Sequence, residues 1–412
     1  MRTIGKYTAV FVGLIVLYLL FGLVSGLASD SAVERHVKRT IDKTDLEADS
    51  WSSFVHKPNY YVDNFTDALI VNQVLCQTDD YDHLIQPYPN TRWNKIMLVP
   101  RLHGGDEQCG NLHRMLDGDT GMKAIYYARY WHGSTFLMRI LLAFKDYVVL
   151  RTFFYLLSSL LMLWVVLALA KRIGVWVAVV YGISLTLVDV FMMQFSIQFL
   201  PVLILSLAGT LWVIKREEGS LGIPFFVLGS LTTYFDLLTA PLMTWGIPLL
   251  VAIVAGKMND WKSRLSSATW FVGYGATWVS KWVIATLTTP LNVFSDASRQ
   301  ASYRSTVEDY SRWDAAVRNI DLVPWLYVVI AIIVLAVLAY RHFNAKGWRN
   351  ALLCLAVALA PLAWYMTIAN HSYQHFWFTY RSLAMTAMGL MLAVGTLVDW
   401  QKVGLLKRRL TQ

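Results

Sequence analysis

Charge is scarce in this chain of 412 residues. Asp, Glu, Lys and Arg together make 15% of it, where a soluble domain carries about 25%. Hydrophobic residues make 56% and mean hydropathy is positive, so an ordinary soluble domain is excluded. Nucleotide-binding signatures are missing as well. There is no GxxxxGK loop, no GxGxxG opening a helix after a strand and no GxSxG elbow. Those absences argue against a nucleotide-driven pump or a nucleotide-sugar enzyme. No clear internal repeat marks the chain as a two-half transporter. Cysteine is rare: Cys76 and Cys109 fall in one segment and Cys354 in an apolar stretch. A bond between the first two would need an oxidising compartment, and sequence does not fix its geometry.

What the chain has instead is ten apolar stretches, near 7–28, 148–170, 174–193, 197–214, 222–237, 240–256, 265–288, 322–340, 351–369 and 382–399. About 20 apolar residues let a helix cross a hydrocarbon core of about 30 Å. The expected fold is all-α: a polytopic transmembrane helix bundle of about ten spans. The first stretch follows Arg2 and Lys6. It is too long for a signal peptide and lacks a convincing cleavage site, so it reads as a span.

The net charge of +9 is no footprint of nucleic acid. The basic residues gather in alternate turns: Arg2 and Lys6, Lys171 and Arg172, Lys215 and Arg216, Lys257, Lys262 and Arg264, Arg341, Lys346 and Arg349, and Lys402 through Arg409. Positive residues stay cytoplasmic, which places both termini inside. The chain then divides into a first transmembrane helix at 1–28, an extracytoplasmic segment with amphipathic helices at 29–147, and a nine-span bundle at 148–412 with an outer loop at 289–321. Loops this long are functional or disordered, and the aromatic content of the first favours folding. The Asn64-Phe65-Thr66 sequon matters only in a eukaryotic secretory pathway, and the compact loops look bacterial.

Polar residues concentrate on the expected outer face. Asp63 and Asp67 are four apart, so on a helix they share a face. The stretch from Tyr60 to Asn72 reads as a short amphipathic helix lying along the membrane. Its carboxylates fit general-base and orienting roles, or an N-cap and a first-turn charge. Arg129, Tyr130, Trp131 and His132, followed by Gly133 and Arg139, combine flat rings that suit sugars with groups that match phosphate. The alternative is an aromatic belt with snorkelling arginines, which leaves His132-Gly133 unexplained. Lys281, Asp189 and Asp236 lie at a similar outer depth. Each is either functional or part of a Lys–Asp pair. His371 and His375 are four apart, with Arg381 beyond them. That spacing can share a metal, but no Glu follows the first His as in zinc proteases, so phosphate contact fits better. A divalent metal is neither required nor excluded.

A long outer segment with acidic residues after the first span resembles integral-membrane glycosyltransferases of the GT-C fold. The motifs Asp63-Asn64-Phe65-Thr66-Asp67, Arg129 through Gly133, Tyr234-Phe235-Asp236 with Pro241, and Asn370 through Arg381 also look like a group of uncharacterised bacterial multispan membrane proteins. The GT-C resemblance implies sugar transfer from a polyprenyl-phosphate-linked donor to an envelope acceptor, on the extracytoplasmic face of the bacterial cytoplasmic membrane. Asp63 or Asp67 would be the base. Lys281, Arg381, His371 or Arg129 would stabilise the departing phosphate, and Tyr130 and Trp131 would hold a sugar. Its partners would be the lipid-linked donor and membrane lipids, with no nucleic acid. A transporter or flippase for lipid-linked glycan, and a non-catalytic scaffold in envelope assembly, are the competing expectations.

Overall fold

The computed structural model describes residues 2–41, 64–85, 89–103, 108–119, 121–216, 220–307 and 309–404. It is 76% helix and 3% strand. α1 (Arg2–Ser25) is one apolar helix, with Leu17, Leu20, Leu23 and Val24 exposed along it. The segment that follows contains α2 (Asp30–Ile41), α3 (Asn64–Leu75), α4 (Arg92–Leu98), β1 (Pro100–His103), α5 (Gln108–Leu116), β2 (Lys123–Tyr126) and α6 (Gly133–Leu142). All of these but α4 contribute to one core, which also takes in Leu150 and Ile197.

Two expectations for this segment are corrected. It is not purely helical: β1 and β2 pair antiparallel, with Arg101 opposite Ile125. Pro100 cannot continue α4, and Val99 ends that helix in the left-handed region at φ 38°, so the chain leaves extended. Nor does α3 lie along a surface. Every residue of it except Phe65 is buried, because α2, α5, α6 and β1 pack around it. No bond joins Cys76 to Cys109; both lie in this core, and burial pushes the Cys76 thiol up to about 12.

The rest is a helical bundle around a second, larger core. Its elements are α7 (Tyr147–Arg172), α8 (Val175–Thr186), α9 (Val190–Phe195), α10 (Leu200–Lys215), α11 (Gly222–Phe235), α12 (Met243–Val254), α13 (Trp261–Ser267) and α14 (Thr269–Thr288). They continue with α15 (Val293–Ser305), α16 (Arg312–Ile320), α17 (Trp325–Arg341), α18 (Trp348–Ala358), α19 (Ala360–Thr367), α20 (Ala369–Gln374), α21 (Phe376–Thr379) and α22 (Leu383–Gly395). Each of the ten apolar stretches is helical, but their lengths differ. Among the described residues, three stretches, 4–25, 147–172 and 345–367, are long and apolar enough to cross a membrane, and α16 with α17, bent by 75°, would make a fourth. α8 and α12 have 12 residues each, about 18 Å of helix. The expected 174–193 helix breaks where Asp189 turns left-handed at φ 55°. Exposed leucines and isoleucines on α7 and α17, such as Leu160, Leu167, Ile330 and Ile333, form the wide apolar faces that a lipid phase would cover.

α11 and α14 pack at backbone distance. A Cβ on Gly229 would strike the Trp270 carbonyl, and one on Gly273 would strike that of Phe226. Such small-residue contacts are how helices associate where water supplies no driving force.

The bundle has two distinct ends. At the loop-rich end, Ser196 meets Asp67, Trp93 meets Thr288 and Asn319 meets Ser372. At the basic end, Lys257 Nζ donates to the Val213 carbonyl at 2.7 Å, and Trp176 stacks on Trp400 with centroids 4.8 Å apart.

Candidate functional site: a cationic aromatic chamber

The strand β2 delivers the 127–132 turn to the loop-rich end, where a third core joins α1, α4, α6, α11 and α14. Three bonds fix the turn. Tyr127 N donates to Leu98 O at 3.0 Å, Trp131 Nε1 to Thr277 O at 2.8 Å, and Trp282 Nε1 to Arg129 O at 3.0 Å. His132 sits at φ 61°, a strained position for a side chain that large. Gly133 then starts α6 hard against the Tyr234 ring, where a Cβ would clash. This close approach accounts for the His132-Gly133 pair.

From this turn Arg129 reaches one cavity of about 340 Å³, with the Tyr127 and Tyr130 rings stacked against its guanidinium. α14 supplies Tyr274, Trp278 and Trp282, α15 supplies Arg304, and Leu238 closes one side. The Tyr127 ring carries Arg101 at 4.9 Å and Arg129 at 4.3 Å, and the Tyr130 ring carries Arg304 at 5.5 Å. Burial alone would raise the Tyr127 phenol. The guanidiniums of Arg129, Arg304 and Arg101 outweigh burial and hold it below its ordinary value. A phenol displaced in that direction marks a strongly positive field.

The Tyr130 hydroxyl bonds Arg304, but three polar atoms beside the cavity are buried without partners among the described residues: Arg129 Nε, Arg101 Nε and His132 Nδ1. Such atoms are rare in native proteins and call for an explanation. Burial pushes His132 down to about 3, so the ring is neutral. Its Nε2 faces the Tyr127 carbonyl at 2.7 Å. A carbonyl only accepts, so Nε2 carries the hydrogen and Nδ1 is a bare acceptor.

The remaining candidate residues are distributed around this chamber. His371 donates from Nε2 to Leu238 O at 2.9 Å, and its ring lies 4.8 Å from that of His375. Burial lowers both imidazoles, His375 to about 4. No third metal-ligating side chain joins them among the described residues. Asp236 caps its own turn through Thr239 N at 3.0 Å, holding Leu238 at φ 72° against the cavity. Among the described residues Lys281 pairs with no aspartate. Its Nζ donates to Met97 O at 2.8 Å, closing the end of α4, and lies 5.4 Å from the Trp131 ring centroid.

Three candidates lie elsewhere. Asp67 is fully buried, and its carboxylate accepts from Ser196 Oγ at 3.0 Å, from Ile197 N and Gln198 N at 3.1 Å each, from Arg151 Nη2 at 3.3 Å and from the Tyr147 hydroxyl. Arg139 bonds Ser25 O at 3.1 Å, Val74 O at 3.3 Å and the Asp30 carboxylate, tying α1, α2 and α3 together. Arg381 donates to Trp377 O at 3.0 Å and lies over the Phe199 ring at 4.2 Å. Asp63 lies outside the described residues. A larger groove of about 890 Å³ runs between α8 and α17, with Asp189 and Thr186 in a largely apolar lining and no arginine, lysine or histidine; the chamber is the one of the two that holds guanidiniums.

Arg304, Arg101 and the α14 tryptophans are residues that motif reading passed over. The one usable signal was an arginine on a polar loop helix facing an aromatic-rich turn. No family profile, curated protein or solved structure matches the chain.

Proposed function

We propose that this is an integral-membrane sugar transferase of the GT-C type, drawing on a polyprenyl-phosphate-linked donor at the outer face of a bacterial cytoplasmic membrane. In this reading all ten apolar segments cross the bilayer. The basic end and both termini are cytoplasmic, and the chamber opens outward.

The observation that supports it is the set of partnerless buried atoms among three guanidiniums. Guanidiniums match phosphate oxygens, and aromatic faces suit sugar rings. His132 Nδ1 would meet a sugar hydroxyl. In the reaction an acceptor hydroxyl attacks the anomeric carbon while the bond from that carbon to the phosphate oxygen breaks. Arg129 and Arg304 take up the charge on the departing lipid phosphate. The hydroxyl proton goes to a carboxylate, for which Asp63 is the candidate, because the Asp67 oxygens are already occupied.

Transfer from a labelled polyprenyl-phosphate sugar by the purified protein tests this. Arg129→Gln and Asp63→Asn should each abolish it. Full activity in Asp63→Asn would remove the proposed base. A flippase reading draws on the helix break at Asp189 and the 75° bend between α16 and α17, since transporters use broken helices. Movement of the lipid across liposomes with no sugar transferred would favour it.

A further inference from the structure

α15 carries two side chains of opposite charge to the same site. Asp296 lies in its first turn and Arg304 in its last. At positions i and i+8 they share a face. Asp296 holds Arg129 at 3.1 Å. Arg304 lines the cavity beside Arg129; burial opposes its charge, the Tyr130 hydroxyl is its hydrogen-bond partner, and no carboxylate forms an ion pair with it among the described residues. Guanidiniums held away from water without an acid are costly. Asp296 has a second partner, since Arg299 reaches it at 3.2 Å from an exposed position. The carboxylate can therefore leave Arg129 without being stranded.

We infer that α15 is part of the ligand site: Arg304 binds the phosphate of the incoming lipid, and that phosphate displaces Asp296 from Arg129. This rests on the reading of the chamber given above. In the exchange Arg129 trades a carboxylate for a phosphate, and Asp296 stays on Arg299. α15 need not move away, because Asn370 Nδ2 donates to Tyr303 O at 2.8 Å and Arg312 Nη2 to Ser305 O at 2.9 Å. Asp296 thus sets the threshold for entry. A weakly charged headgroup cannot compete with it, and a phosphate can.

The test is binding of farnesyl phosphate to the full-length protein in detergent, with farnesol and inorganic phosphate as controls. Arg304→Gln should weaken binding by about tenfold or more. Asp296→Asn should tighten it roughly three- to fivefold. A folding defect would weaken binding in both variants, so it cannot mimic the second result. Wild-type binding with unchanged or weaker affinity in Asp296→Asn overturns the exchange and leaves the transferase reading standing. Farnesol binding as tightly as farnesyl phosphate overturns the phosphate assignment. Inorganic phosphate binding as tightly overturns the lipid source. No binding by the wild type sinks this inference and that reading together.

Discussion

Asp67 and Arg129 are both charged groups withdrawn from water at the loop-rich end, and their surroundings are opposite. Five donors converge on Asp67 from α7 and the 196–198 elbow. Among the described residues Arg129 has one acid, Asp296, and a buried Nε with no partner. A saturated carboxylate is an anchor: it holds the elbow before α10 to the segment after α1. An unsaturated guanidinium near a bare imidazole nitrogen is arranged for something that arrives from outside. Burial and charge alone do not separate the two cases. The count of satisfied lone pairs and hydrogens does.

The largest expected effect lies on the anchor side. Asp67→Ala leaves Arg151 buried without its carboxylate and should cost about 3–5 kcal/mol, read as a lower midpoint of thermal unfolding in detergent. A variant that melts like the wild type but no longer transfers sugar would move Asp67 into the chemistry and erase the contrast. Next, Arg129→Gln should melt within a few degrees of the wild type while losing about 100-fold in farnesyl phosphate affinity, about 2.7 kcal/mol. Equal losses in stability and binding would make it a second anchor. Tyr130→Phe removes the hydroxyl that bonds Arg304, so stability should fall by about 1 kcal/mol, while affinity falls roughly fivefold. Unchanged stability would show that this bond contributes nothing to the fold.

The last effect is the dependence on pH, which is spread over several buried imidazoles. Burial holds His132 at about 3 and His375 at about 4, below the ordinary 6.5. The unfolded chain takes up both protons as pH falls below that value, and the folded chain does not until much lower. Stability should be complete above about 6.5 and decline toward about 4. His375→Gln should flatten the decline in melting midpoint across that range. An unchanged slope would assign it to other groups.

Helix positions were legible because apolar runs are a local signal, and α7 begins and ends within two residues of its expected bounds. Breaks were not. The 174–193 stretch parts at Asp189, whose carboxylate accepts from Tyr380 at 2.6 Å across 191 residues. The hairpin needed two short runs to meet across α5, which no local period announces. At the site, Arg129, Tyr130 and His132 were visible because they crowd one turn. The surroundings of Asp67 were hidden because Ser196 is 129 residues away. Lys281 gave a similar false lead, since a charge in an apolar helix suggests an acidic partner and this one caps α4 instead. Arg304 stood unmarked in a polar stretch, and only folding brings it onto Tyr130.

A structure of the protein with farnesyl phosphate bound tests the central claim most directly. The phosphate is expected within about 3 Å of the guanidiniums of both Arg129 and Arg304, with Asp296 turned to Arg299. Phosphate seated at Arg139 or Arg381, with Arg129 still on Asp296, would contradict it.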